Sequence, residues 1–153
     1  MAASNFFLYN KAIARICKGI INLSTSTIVA VPLKSSYTPS TASHSAFAQI
    51  SGHQSTATGS IVNAITLASK TFTGSGADAT KFDSADLSGF SAGGDTFATK
   101  YIALYARSAS DGTIDNPLLG WMDVNTSAST GIEASQLNIT VAAAGWFKVR
   151  TNQ

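Results

Sequence analysis

The hydrophobic pattern of the chain changes character once, and early. Phe6, Tyr9, Ile13, Ile16 and Ile20 recur at spacings of three and four, which predicts an amphipathic helix over residues 5–19 with these five side chains on its buried face. Lys11, Arg15 and Lys18 fall on another side and read as its solvated face. Ser4 or Asn5 is placed to cap the start, Gly19 to stop it in the left-handed conformation, and Cys17 sits beside the apolar stripe as a small buried side chain. From Thr27 onward the period is two. Thr27 to Lys34 reads as a strand whose Pro32 places it at an edge or a bend, because proline donates nothing to a ladder. Ser60 to Thr73 reads as one long strand or two short ones, Lys81 to Phe90 as a further strand region, Gln136 to Val141 as an alternating strand and Trp146 to Val149 as a last edge strand.

The centre of the pattern lies between Ala98 and Val124. Tyr101, Ala103, Tyr105 and Arg107 share one side of an extended chain and Ile102, Leu104 and Ala106 the other, so both sides are largely apolar, as in a central strand. Asp111-Gly112 and Asn116-Pro117 are turn signals, which predicts that Leu118 to Val124 folds back as the second arm of a hairpin. Ser35 to Thr58 is long for a structureless connection, so part of it, Ala42 to Ile50, is expected to form a short helical turn or to pack against a neighbour. These elements predict a mainly β chain: an antiparallel β-sandwich or partly closed barrel of six to seven strands with one N-terminal amphipathic helix. Residues 1–153 form one domain in this reading, with the helix at 5–19 and the β region at 26–150.

Composition narrows the function classes. Only 12% of the residues are charged and the formal net charge is +2, too small and too scattered to imply nucleic acid. The bland Ser/Thr/Gly-rich surface suits a chain that covers part of itself in an assembly. One cysteine excludes an internal disulfide and a cysteine-based zinc site. The positive charges interrupt the apolar run of the first segment instead of preceding it, and no stretch reaches the length of a membrane span, so neither export nor membrane insertion is expected.

Candidate chemistry is thin. His44 and His53 share one polar loop with no carboxylate nearby in sequence, and read as two loop histidines without a role. Asp83 with Asp86, and Asp111 with Asp115, lack the dense oxygen donors of a calcium loop and read as turn formers. Gly89 to Gly94 precedes no helix, which argues against a phosphate cradle. Trp121, Trp146, Tyr101 and Tyr105 lie in alternating strands, as core residues or as a sugar-binding face. The expectation is therefore no enzyme: no catalytic residues, no cofactor and no metal.

Several runs carry a family likeness. They are Lys18-Gly-Ile-Ile-Asn-Leu; Ser24-Thr-Ser-Thr-Ile-Val-Ala-Val-Pro-Leu; Ser35-Ser-Tyr-Thr-Pro-Ser-Thr-Ala-Ser-His-Ser-Ala-Phe; Tyr101-Ile-Ala-Leu-Tyr; and Pro117-Leu-Leu-Gly-Trp-Met-Asp. Together they resemble small structural proteins of tailed bacteriophages, over nearly the whole chain, with a departure at Ser55 to Asn63, where the pattern has Gly-Tyr and this chain has Gly59-Ser60-Ile61. The resemblance implies a virion component made in the host cytoplasm. It points to a capsid decoration or cement protein on the outer surface of the major capsid protein shell, with a head-to-tail or tail component, or a glycan-binding virion module, as alternatives. Sparse charge and the loops Ser35 to Thr58, Gly74 to Ala79 and Asn125 to Gly131 suggest partner contacts through hydrogen bonds around small apolar anchors, little affected by salt. Tyr37, Phe47 and Ile50 are the anchors expected, in a protein that self-associates as a dimer or trimer.

Overall fold

The computed structural model describes residues 5–74, 80–142 and 145–149, so the Ser4 cap and most of the Gly74 to Ala79 loop lie outside the described residues. In chain order the elements begin with β1 (Phe7–Leu8), α1 (Asn10–Cys17) and β2 (Thr27–Leu33), followed by 3-10 turns at Phe47–Gln49 and Ser51–His53. There follow β3 (Thr56–Ala57), β4 (Ser60–Ile61), β5 (Ile65–Thr66), β6 (Thr71–Gly74), β7 (Thr80–Asp83), β8 (Leu87–Ser91) and β9 (Phe97–Thr99). The chain ends with β10 (Tyr101–Arg107), β11 (Leu118–Asp123), β12 (Ile132–Ala134), β13 (Gln136–Ile139) and β14 (Phe147–Val149). It is mainly β with antiparallel sheets and one helix, as the periodicity predicts. Among the described residues the strands are shorter and twice as many as expected, and they divide among five small sheets that do not compose one clear sandwich or barrel.

The largest sheet runs β1-β11-β10-β2-β5, with β10 at its centre. Ile102 to Ala106 are all buried, because both sides of this strand are apolar and both faces of the sheet are covered. β10 and β11 form the expected hairpin, pairing Tyr101 with Asp123 and Leu104 with Gly120, with a shift of register between Leu104 and Tyr105. β2 pairs with β10 along its whole length and with β5 only at Val29 and Ala30. Pro32 therefore lies in an interior strand, but its carbonyl accepts from Ser55 N at 2.9 Å on the side away from β10, beyond the end of β5. Its missing donor costs no ladder bond there. Gly120 is required by a close crossing: a Cβ at this position would run into the Phe6 ring and come within 2.6 Å of the Phe7 carbonyl oxygen. Phe6 in turn packs against Trp146 and Phe147, and Phe147 against Phe82, which ties β1 to β14 and β7.

The first segment departs most from expectation. Phe7 and Leu8 are strand, paired with Trp121 and Gly120, and the helix starts only at Asn10. Where the chain leaves the sheet is fixed by Tyr9 N bonding Leu119 O at 3.1 Å and Asn10 N bonding Thr41 O at 2.9 Å, and this sets the rotation of α1. Ala12 and Arg15 face inward while Ile13 is 55% exposed and Cys17 is exposed, so the predicted stripe is buried only in part: Tyr9 is in the core and Phe6 and Ile16 pack against it, but Ile13 points to solvent. Arg15 enters because its charge is met: Nε donates to Asp111 Oδ2 and Nη1 to the Ser45 carbonyl, both at 2.9 Å. The predicted stop holds. Gly19 has φ +74, Gly19 N bonds Ile16 O and Ile20 N bonds Arg15 O, a Schellman ending. Among the described residues no helix is long and apolar enough to cross a membrane.

Candidate functional site

Two neighbouring features carry the unusual chemistry of this chain: a tyrosine–histidine cluster under the Ser35 to Thr58 loop, and a groove on the outer side of α1. The cluster forms because the loop folds back over the face of the central sheet that bears Tyr101 and Tyr105. The Phe47–Gln49 turn is held by Gln49 Oε1, which accepts from Ser45 N at 2.7 Å and Ala46 N at 2.9 Å. Phe47 stacks on Tyr105 with ring centroids 4.3 Å apart, and Tyr37 meets the edge of Tyr101 at 5.7 Å.

Tyr37 then links three elements. Its hydroxyl is 2.6 Å from that of Tyr9, at the entry to α1, and 2.9 Å from Nδ1 of His44. Both hydroxyl protons find acceptors in one direction only: Tyr9 donates to Tyr37, and Tyr37 donates to a neutral His44, whose proton then sits on Nε2. The reverse direction leaves the Tyr9 proton with no acceptor among the described residues, at a side chain with no exposed surface. Burial pushes the Tyr9 phenol far above its ordinary value, and its bond to Tyr37 pushes the same way. Burial also raises Tyr37, opposed by the hydrogen bond it receives from Tyr9. His44 is held below its usual value, first by burial and then by the charge of His53. His53 completes the cluster, 5.6 Å from Tyr37 ring to ring and 3.3 Å from Ser36 Oγ through Nδ1.

These positions correct two expectations. Tyr37 and Ile50 are 1% and 0% exposed, so they are core residues of this chain and offer no surface to a partner; only Phe47 of the three anchors reaches solvent, half-buried. The loop covers a sheet face that needs large apolar side chains, and it spends its own on that. The histidines are not bland loop residues either, since both rings flank Tyr37 and one ends the hydroxyl chain. The Asn125 to Gly131 loop is also tied down: buried Lys100 donates to Asn125 O and Ala128 O at 2.7 Å and pairs with Asp123 at 2.8 Å.

The other candidates resolve residue by residue. Asp111 is a turn former as expected, accepting from Thr113 N and Ile114 N on Oδ1; those bonds, led by Ile114, and the Arg15 side chain hold its carboxyl at about 2. Asp83 pairs with Lys81 at 2.7 Å and Asp86 accepts from Val141 N at 2.8 Å. Trp146 and Tyr105 are core, while Tyr101 and Trp121 are half-buried and Phe7, 43% exposed, stacks on Trp121 at 4.8 Å. Among the described residues no three His, Cys, Asp or Glu side chains gather as a metal set.

The groove of about 590 Å³ runs between α1 and the 108–116 turn region, lined by Lys11, Ala14, Arg15, Lys18, Ile20 and Ile114 with Asp111 and Thr113. Sequence reasoning missed the Arg15–Asp111 pair that closes its floor and the Tyr9–Tyr37 contact, and neither leaves a local signal because the partners lie far apart in the chain. No protein-family model, no curated protein and no solved structure matches this chain.

Proposed function

We propose that this chain is a non-enzymatic structural protein of a bacteriophage virion, a capsid decoration protein that binds the outer surface of the major capsid protein shell and reinforces the head. The observation that carries the reading is where the resembling segments meet. Residues 18–47, 101–105 and 117–123 are far apart in sequence, yet they form β2, β10, β11 and the loop packed on them, so the likeness covers one contiguous core and not scattered surface. Self-association as a dimer or trimer belongs to the same reading, as does a sandwich formed by the central sheet against the strands carrying Phe82 and Phe147, with Trp146 beside them. A glycan-binding module is the second reading, favoured by the partly exposed Phe7–Trp121 stack. Electron microscopy of particles labelled on this subunit tests the proposal. Label over the whole shell is the expected result; label at one vertex or along a tail would replace decoration by a neck or tail role.

A further inference from the structure

Two residues of helix α1 exchange the places its sequence predicts for them. Its arginine is 4% exposed and its central isoleucine 55% exposed, although the apolar residue would ordinarily be the buried one. The outward arc consists of Ile13, Ala14 and Cys17, all exposed and adjacent on the helical surface. Along one margin of that arc run Lys11 and Lys18, both exposed and both on the wall of the 590 Å³ groove. Neither lysine has an ion-pair partner among the described residues. The one carboxylate in the groove is already occupied: Asp111 gives Oδ2 to Arg15 and Oδ1 to the Thr113 and Ile114 amides. Two uncompensated cations thus stand beside an open strip of small and aliphatic side chains.

We propose that the outward face of α1 and the adjoining groove form a docking surface for an acidic segment of a partner protein. The charge of the face selects the sign of the occupant, and the geometry sets its spacing. Lys11 and Lys18 are two helical turns apart, about 10 Å along the axis, so the matching segment carries two carboxylates at that separation with aliphatic side chains between them. Those side chains enter the groove over Ala14, Ile20 and Ile114. The lysines steer and register the segment while the apolar strip holds it. This surface does not depend on the virion reading, and it takes the place of Tyr37 and Ile50, which lie in the core.

The test uses the full chain, labelled with ¹⁵N, and a synthetic helical peptide with two glutamates seven residues apart and leucines between them. Saturable amide shifts confined to residues 11–20 and 111–114 are expected. Lys11→Glu/Lys18→Glu should weaken binding on the order of tenfold or more, since like charges then face each other. Ala14→Glu, on the groove wall between the lysines, should weaken it as well, whereas Lys34→Glu/Lys70→Glu, away from the groove, should not. All replaced side chains lie outside the core, and an unchanged spectrum elsewhere verifies that each variant is folded. Absence of shifts at the groove, or undiminished binding by the Lys11/Lys18 variant, would overturn the proposal. Concentration-dependent shifts at the same residues without peptide would identify a second copy as the occupant and overturn it too. So would binding to phosphatidylglycerol vesicles with none to the peptide.

Discussion

Replacing Tyr37 by Phe removes a hydroxyl that serves two neighbours at once. Tyr9, with no exposed surface, then keeps a donor that neither protein nor solvent can satisfy, and the cost is the desolvation of that group, about 1–3 kcal/mol. Replacing Tyr9 by Phe is milder. Tyr37 loses the bond it accepts but still donates to His44, so the loss is that of one ordinary hydrogen bond, about 0.5–1.5 kcal/mol. The double variant Tyr9→Phe/Tyr37→Phe leaves no orphaned phenol and should cost little more than Tyr9→Phe alone. The two changes are thus predicted to be strongly non-additive, with a coupling of about 1–2 kcal/mol. Urea unfolding followed through Trp121 and Trp146 fluorescence measures all three, and for a chain of this length each kcal/mol also moves the thermal midpoint by a few degrees, roughly 2–4 °C. Additive losses, or a Tyr9→Phe variant less stable than Tyr37→Phe, would refute the hydroxyl chain and its direction.

The same chain makes stability depend on pH. His44 is depressed in the folded state, so the unfolded chain binds more protons below neutrality; the contribution is complete above the unfolded value near 6.5 and is lost as pH falls through the lower folded value. Urea midpoints should therefore fall as the pH is lowered below the unfolded value near 6.5, and His44→Gln should flatten that part of the curve; an unchanged slope would assign it to another group. Ile13→Ala should change stability by no more than about 0.5 kcal/mol, as for an exposed position, in contrast to the several kcal/mol that a buried stripe would lose. Gly120→Ala should cost about 1–3 kcal/mol because the Phe6 ring and the Phe7 carbonyl occupy the space of the new methyl; thermal unfolding no different from the parent would show that β1 shifts freely.

Sequence alone determined the framework of this protein. An apolar pattern on both sides of Tyr101 to Ala106 can be satisfied only where both faces are covered, so β10 had to be central, and the Asp-Gly and Asn-Pro turns returned β11 beside it. Gly19 ended the helix because a left-handed residue was needed there, a local requirement readable from the local residue. Tertiary structure decided the rest. Periodicity gives a helix its faces but not its rotation, and the Phe7–Leu8 pairing with β11 and the Arg15–Asp111 pair turned α1 so that Ile13 points outward. Which large loop side chains lie inside was likewise undecidable from composition: Tyr37 and Ile50 sit in a polar, irregular segment, and they are buried because the sheet face beneath them, bearing Tyr101 and Tyr105, needed a cover. The Tyr9–Tyr37–His44 chain joins residues from the helix entry and the loop, and contacts of that kind exist only after the sheet has brought their backbones together.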